Sequence, residues 1–371
     1  MTESATPSRS EALLEVEDLS THFSIGAGRL RAVDGVSFSL QPGQTMGIVG
    51  ESGSGKTVLS RTIMRLNLGN NVHTSGRVRF LDKDLLELPM KAMTDIWGQE
   101  IAMVFQDPMT SLNPVVKVGR QVSEHVRKHL GVSKTEAKKL AVELLRSVRI
   151  PEAETAIDRY PHELSGGMRQ RVSIAIALAC SPKLLFADEP TTALDVTVQH
   201  QILNLLGMQQ QERSMAMVLV THDLGVVAGR TDEILVMYAG KIVEKAKTAE
   251  IFQTTEHPYT EALLRSIPKT DQPSHTRLAA IAGRPPTLIE ISKGCSFSPR
   301  CPYAQERCFE EEPVLEETTP GHYTACWYRV GTPENQEAWD KNLAAGRLST
   351  LGIDQGHIVD EVPVNVGSGG N

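Results

Sequence analysis

The chain has 371 residues, of which 40% are hydrophobic and 22% are charged, and its formal net charge at pH 7 is −7. These values are typical of a globular protein with a sizeable core, divided into one large domain and a smaller one or into two ordinary domains. The acidic balance argues against a nucleic-acid-binding groove, and no apolar run approaches the ~18 residues that would span a bilayer.

Both ends of the chain are polar, and we expect residues 1–10 and part of the tail, 331–371, to be disordered. The N-terminal sequence MTESATPSRSEALLEVED lacks the charged-then-apolar pattern of a signal peptide. A cytosolic chain that reaches a membrane only through its partners is therefore expected.

Between the two ends, short β-rich runs alternate with longer helical stretches, which predicts a parallel sheet covered by helices. The predicted buried strands are TMGIVG (45–50), IAMVF (101–105), KLLFAD (183–188) and MAMVLVTH (215–222). The run EILVMYAGKIVE (233–244) predicts a hairpin that turns at Ala239 and Gly240.

Residues 118–150 have helical periodicity and lie between two predicted core strands, so we expect an inserted helical subdomain at about 108–175. Prolines become frequent from residue 266 onward and the regular pattern stops. We therefore predict one domain over 11–265 and a separate C-terminal region over 266–330.

The segment GESGSGKT fits the phosphate-binding loop pattern of Gly, four residues, Gly, Lys and Ser or Thr, between a predicted strand and a predicted helix. Its glycines allow backbone N–H groups to surround nucleotide phosphates at the positive end of a helix. The lysine adds a positive charge beside the phosphates, and the threonine hydroxyl suits Mg²⁺. The predicted ATP-binding residues are Gly50, Glu51, Ser52, Gly53, Ser54, Gly55, Lys56 and Thr57.

Two adjacent carboxylates, Asp188 and Glu189, follow the apolar run KLLFA, where they would be costly without a function. Asp188 is predicted to hold Mg²⁺, directly or through water. Glu189 is predicted to orient and deprotonate the attacking water, although a capping role for this residue alone is the alternative.

The segment LSGGMRQR opens a predicted helix about twenty residues before these carboxylates. It resembles the signature of the ATP-binding cassette (ABC) ATPases, and further motifs of that family follow in order. The resemblance implies a glutamine-loop residue at Gln106 that also approaches Mg²⁺, a dimer-contacting loop at Asp195 and a switch histidine at His222. With Lys56 and Glu189, Gln106 and His222 form the predicted catalytic set; a structural histidine is the alternative for His222.

The family resemblance also implies the fold, an α/β P-loop nucleotide-binding domain. Such a domain has a RecA-like parallel sheet core, an antiparallel β subdomain and an inserted helical subdomain, here followed by a small irregular Cys-rich region. The signature would face ATP bound by an opposing subunit, which requires a second cassette subunit. Phe23 aligns with the aromatic residue that stacks on adenine in this family. The alternative is that Phe23 is an ordinary core residue of its strand. The signature residues are Leu164, Ser165, Gly166, Gly167 and Met168.

Two further segments, FQDPMTSLNP (105–114) and HPYTEALLRSIP (257–268), resemble hallmarks of oligopeptide and dipeptide importer ATPases, whose relatives also carry nickel, glutathione or oligosaccharides. The resemblance implies two transmembrane permease subunits, an extracytoplasmic substrate-binding protein and often a second, related ATPase. It places the chain at the cytoplasmic face of the cell membrane, as a peripheral subunit. A soluble ABC protein of translation or DNA repair and a regulatory cassette without turnover are the alternatives.

The C-terminal region holds four of the five cysteines, with five, six and seventeen residues between successive ones. In a reducing compartment such thiols favour metal binding over disulfides. The irregular gaps suit a [4Fe–4S] cluster better than Zn²⁺. One alternative is a zinc site formed by His322 and three of the thiols. The other alternative is that the cysteines bind no metal. Some peptide-importer ATPases that resemble this stretch carry such a cluster. The predicted ligands are Cys295, Cys301, Cys308 and Cys326, whereas Cys180 is predicted to be a core thiol.

Overall fold

The computed structural model describes residues 12–26, 28–107, 111–192, 194–267, 281–289 and 293–350. The predictions of disorder for 1–10 and for the end of the tail concern segments outside the described residues. The strands are β1 (Leu14–Ile25), β2 (Gly28–Leu40), β3 (Thr45–Val49), β4 (Val72–Phe80), β5 (Lys83–Asp84), β6 (Ile101–Val104), β7 (Leu184–Asp188), β8 (Ala216–Thr221), β9 (Glu233–Tyr238), β10 (Lys241–Lys247), β11 (Glu316–Thr319) and β12 (His322–Thr324).

One sheet has eight strands in the order β11-β12-β10-β9-β3-β8-β7-β6, and β9, β3, β8, β7 and β6 run parallel. Every residue of β3, β7 and β8 is buried, which explains why these strands appear in the sequence as continuous apolar runs. The four predicted core strands and the hairpin are confirmed. Ala239 and Gly240, at the hairpin turn, both have positive φ, at 50° and 84°.

The second sheet is antiparallel, with four strands in the order β2-β1-β4-β5. Its strands alternate buried and exposed residues over much of their length, because one face packs on the core. This sheet corresponds to the expected antiparallel subdomain, so the predicted fold class is confirmed.

Helices cover the parallel sheet and form the insertion between β6 and β7. Ser133 caps one inserted helix by accepting a hydrogen bond from the Glu136 amide. None of the helices in the described ranges is both long and apolar enough to cross a bilayer. The helices are Lys56–Ile63, Met90–Ile96, Val118–Leu130, Lys134–Ser147, Ala153–Ala156, Gly166–Ala177, Val196–Arg213, Leu224–Val227, Thr248–Gln253, Pro258–Arg265, Glu306–Glu310, Pro333–Ala344 and Arg347–Thr350, with 3₁₀ turns at Pro161–Glu163 and Ser298–Arg300.

The C-terminal region is more regular than the sequence pattern indicates. Strands β11 and β12 form a hairpin that extends the main sheet beyond β10. The buried aromatic side chains of Phe297, Tyr303 and Trp339 belong to the same hydrophobic core as the parallel strands. The C-terminal region therefore packs directly against the α/β domain.

A buried carboxylate on β10 links the C-terminal region to the main sheet through hydrogen bonds. Glu244 has no exposed surface and accepts hydrogen bonds from the Glu256 amide at 2.6 Å and from the His257 amide at 3.2 Å. Its Oε1 also lies 2.9 Å from Nε2 of His322, on β12. Burial opposes the protonation of His322, but the hydrogen bond and charge of Glu244 outweigh it, so the pKa of His322 is raised.

Candidate active site

The phosphate loop connects β3 to the helix Lys56–Ile63 and approaches neighbouring backbone closely. Gly50 and Gly55 have φ values of 154° and 104°, a region that side chains rarely adopt. A Cβ atom at Gly50 would overlap the carbonyl oxygen of Met237, and one at Gly55 would overlap that of Ala32. Glycine is therefore required at both positions by backbone conformation and by space.

Lys56 opens the helix and is buried inside the loop. Its Nζ donates hydrogen bonds to the carbonyl oxygens of Gly50 at 2.8 Å and Glu51 at 2.9 Å. Burial lowers the pKa of Lys56, and the charges of Glu189, Asp188 and Glu51 act in the opposite direction. The ammonium group thus lies within the loop that the sequence assigns to phosphate binding.

Asp188 ends β7 beside this helix and is fully buried. The Thr57 hydroxyl donates to Oδ1 of Asp188 at 3.0 Å, whereas Oδ2 has no hydrogen-bond partner among the described residues. Burial raises the pKa of Asp188, and the Thr57 hydrogen bond opposes the rise. A buried oxygen without a partner, next to a hydroxyl, is a costly arrangement that a hard cation such as Mg²⁺ would relieve.

Three side chains that follow neighbouring parallel strands lie close to the Glu189 carboxylate. Its Oε2 accepts hydrogen bonds from Nε2 of Gln106 at 3.0 Å and from Oγ1 of Thr192 at 2.9 Å, and lies 3.4 Å from Nδ1 of His222. Glu189 itself has a φ of 45°, in the left-handed region. The structure therefore brings together the predicted residues Gln106, Glu189 and His222, and adds Thr192, which the sequence reasoning missed.

The signature segment lies at the start of the helix Gly166–Ala177. Ser165 is the N-cap, and its Oγ accepts a hydrogen bond from the Met168 amide at 3.3 Å. A Cβ atom at Gly167 would lie 2.6 Å from Cγ1 of Val198, so the helix packs closely against the helix Val196–Arg213. Leu164 is buried, while Ser165 is exposed at the helix N-terminus, where an anion can approach.

Two predicted residues have evident structural roles. Asp195 caps the helix Val196–Arg213 by accepting a hydrogen bond from the Val198 amide at 2.9 Å. It is exposed, and the neighbouring Val196 is 81% exposed. Phe23 is half-buried on β1 and pairs across the sheet with Leu30 and Val72. Dimer contact and adenine stacking remain predictions.

The four C-terminal cysteines line one cavity of about 20 Å³, together with aromatic and proline side chains. All four are free thiols. Burial raises the pKa of each of them, to about 11 for Cys295. Within the described ranges, no group of three or more His, Cys, Asp or Glu side chains is placed to hold a metal ion.

His322 does not line this cavity in the structure, since it is bound to Glu244. The alternative zinc set of three thiols and His322 therefore has no support from the geometry. Cys180 follows the helix Gly166–Ala177 and is half-buried, outside the lining of the cavity.

Two family descriptions match the chain. Residues 33–192 match the family described as "ABC transporter", and residues 243–308 match "Oligopeptide/dipeptide transporter, C-terminal region". A probable peptide ABC transporter ATP-binding protein, y4tR, of Sinorhizobium fredii is 50% identical over 86% of this chain and 96% of its own length. The chain belongs to the ATP-binding subunits of ABC transporters. Within them it falls in the oligopeptide and dipeptide group, and it is an ATPase.

Other members of this group are similar over most of the chain. The oligopeptide transport ATP-binding protein OppD of Salmonella typhimurium is 47% identical over 89% of this chain and 98% of its own length. The dipeptide transport ATP-binding protein DppD of Escherichia coli is 48% identical over 85% and 97%.

Solved structures agree with the fold of the ABC ATPase domain. The ATP-binding cassette MJ0796, in a dimeric post-hydrolysis state with ADP and Pi, aligns with a TM-score of 0.57 at 29% identity. The alignment covers 63% of this chain and 98% of that one, so the similarity is to the cassette as a whole.

Proposed function

We propose that this ABC ATPase energises the import of peptides or similar small solutes. The observation that carries the proposal is the convergence of Gln106, Thr192 and His222 on the Glu189 carboxylate, next to the paired Thr57 and Asp188. The choice of solute class rests on the peptide-transporter names of the relatives.

In the proposed mechanism, the phosphate loop and Lys56 bind the β- and γ-phosphates of ATP. Thr57 and Asp188 would hold Mg²⁺, with Gln106 nearby, and the ion would neutralise charge on the phosphates. Glu189 accepts a proton from the attacking water, while Gln106 and Thr192 fix the orientation of its carboxylate. His222 is placed to contact the γ-phosphate.

The signature residues Leu164–Met168 complete the site of an opposing cassette. ATP held between two cassettes draws them together, and hydrolysis releases them, which shifts the population between closed and open dimers. We infer a related but different second ATPase subunit, two transmembrane permeases and, through them, an extracytoplasmic substrate-binding protein. The chain would then be peripheral to the cytoplasmic face of the membrane.

Transport provides the test of this function. In a strain deleted for this gene, we expect the uptake of labelled peptide to be lost and to be restored by the wild-type chain. Excess unlabelled peptide should reduce the uptake of labelled peptide by competition. The uptake of nickel and of glutathione, the alternative solutes, is measured in the same strains. Unchanged uptake of all three solutes in the deletion strain would favour the alternative of an ABC ATPase that is not coupled to transport.

We also propose that the four C-terminal thiols bind a [4Fe–4S] cluster, with Zn²⁺ as the alternative. The support is that Cys295, Cys301, Cys308 and Cys326 line the same cavity although seventeen residues separate the last two. Each thiolate of such a cluster binds a different iron atom, so its ligands stand further apart than those of a single ion.

Elemental analysis distinguishes the possibilities. Anaerobically purified protein is expected to contain about four irons and four acid-labile sulfides per chain and to absorb visible light. Zinc without sulfide would assign the cavity to a structural zinc site instead. Protein that binds neither metal, even after reconstitution with iron and sulfide, would contradict the proposal.

A further inference from the structure

Two residues from later in the chain, Tyr259 and Arg300, contact the phosphate loop at Glu51, the second residue of the loop. The hydroxyl of Tyr259 accepts a hydrogen bond from the Glu51 amide at 2.7 Å. The Arg300 guanidinium donates from Nη1 to Oε2 of Glu51 at 2.6 Å and from Nη2 to Oε1 at 2.9 Å. Both the backbone and the side chain of this loop residue are therefore held by residues that lie more than two hundred positions later in the chain.

Arg300 is rigidly placed for this contact. Its side chain is only 4% exposed, and its Nε donates to the carbonyl oxygen of Ala282 at 2.8 Å. Its guanidinium also lies 3.3 Å from the hydroxyl of Tyr238, at the end of β9, and 6.0 Å from the ring centre of Phe297. Because a planar guanidinium bound at both ends cannot turn freely, its two parallel hydrogen bonds fix the Glu51 carboxylate in one orientation.

Tyr259 is fixed as well. It is fully buried, and its ring packs against those of Tyr238 and Phe297, with centroids 4.6 Å and 5.3 Å away. Its backbone amide donates to Nδ1 of His257, which caps the helix Pro258–Arg265. The ATPase motifs do not account for the segment HPYTEALLRSIP (257–268). In the structure, this segment places the Tyr259 hydroxyl against the phosphate loop.

The charge of Glu51 gives this contact a consequence for ATP. A carboxylate within the phosphate loop repels the negatively charged triphosphate, and a buried, paired guanidinium offsets that charge. The hydrogen bond to Tyr259 also holds the backbone amide of Glu51 in position. Binding of ATP should therefore depend on residues outside the phosphate loop and its helix.

We propose that Arg300 and Tyr259 are positioning residues for ATP. Arg300 neutralises and orients Glu51, and Tyr259 anchors its backbone amide. Neither residue needs to touch the nucleotide. Together these two residues set the affinity of the phosphate loop for ATP.

The test compares MgATP binding by the purified full chain and four variants. Arg300→Met leaves the Glu51 carboxylate unpaired, and we expect an approximately 10-fold weaker Kd for MgATP and a similar rise in KM, with kcat changed by less than about 2-fold. In Glu51→Gln/Arg300→Met the repelling charge is absent, so the Kd should return to within about 3-fold of wild type. Arg300→Lys keeps the charge without the paired hydrogen bonds and should be intermediate. The matched control, Arg120→Met, removes an exposed arginine in the helix Val118–Leu130 that pairs with Glu124 and should bind MgATP as wild type does.

A second variant keeps the proposal testable if Arg300→Met does not fold. Tyr259→Phe retains the buried ring and deletes one oxygen, and we expect a 3- to 10-fold weaker Kd. Tyr323→Phe, in the same region but on β12, is its control. Wild-type affinity in both Arg300→Met and Tyr259→Phe would overturn the proposal, as would a double variant as weak as Arg300→Met alone. These readouts are independent of the transported solute.

Discussion

Replacement of Glu189 by Gln is expected to lower the rate of ATP hydrolysis at least about 100-fold and to leave ATP binding intact. Glutamine keeps the size and the hydrogen-bonding oxygen of the side chain, so the contacts from Gln106 at 3.0 Å and Thr192 at 2.9 Å can persist. It cannot accept a proton from water at neutral pH. The loss should therefore fall on kcat, while the Kd for MgATP remains near that of wild type.

Phosphate release under saturating ATP, together with equilibrium binding, measures both quantities. Glu212→Gln is the matched control, because Glu212 lies in the helix Val196–Arg213, where it accepts a hydrogen bond from Gln209. Since hydrolysis would release the closed dimer, the Glu189→Gln chain should also form an ATP-dependent dimer with its partner cassette that persists on sizing. Hydrolysis at the wild-type rate in Glu189→Gln would assign the proton transfer to another group.

The family resemblance supplied the predicted roles of Gln106 and His222, and the convergence of both side chains on Glu189 follows from parallel strands. Gln106, Glu189 and His222 each come just after a strand, and β6, β7 and β8 are neighbours in the sheet. Parallel neighbours end at the same edge, so residues that follow them meet there. Thr192 was missed because a threonine in a turn has many local roles, and only the folded turn places its hydroxyl on the carboxylate.

The C-terminal hairpin was missed for a different reason. β11 has four residues and β12 has three, too few to show an alternating pattern, and proline-rich flanks conceal them. Their pairing depends on β10, more than seventy residues earlier, and on the buried Glu244. Such long-range partners leave no local signal in a single sequence.

The contact between Arg300 and Glu51 joins residues 249 positions apart. In the sequence, Arg300 appears only as a neighbour of Cys301, and the cysteines dominate the interpretation of that stretch. Arg300 and the cysteine cavity are adjacent in the structure, because the 3₁₀ turn Ser298–Arg300 ends directly before Cys301. Cys301 of the cysteine cavity therefore lies one peptide bond from Arg300, whose side chain is hydrogen-bonded to Glu51 of the phosphate loop.

Cys301→Ser is accordingly expected to affect metal content, stability and ATP affinity together. Cys301 is buried and lines the shared cavity, so a serine there would remove one thiolate ligand and leave a polar hydroxyl among apolar neighbours. If the proposed cluster is bound, we expect the iron and sulfide content to fall by more than half and the Tm to drop by about 5–10 °C, because cluster binding would then contribute to the folding free energy of this region.

The effect on ATP follows from the position of Arg300. If the turn Ser298–Arg300 shifts when the cavity is emptied, the guanidinium no longer holds both oxygens of Glu51, and the Kd for MgATP should weaken by about 3- to 10-fold. Cys180→Ser is the matched control, since Cys180 is half-buried and outside the cavity, and it should keep the metal, the Tm and the affinity of wild type. A metal-free Cys301→Ser chain that binds MgATP like wild type would separate the two sites and confine the cysteines to a structural role. An equal loss of metal in Cys180→Ser would contradict the assignment of the ligands.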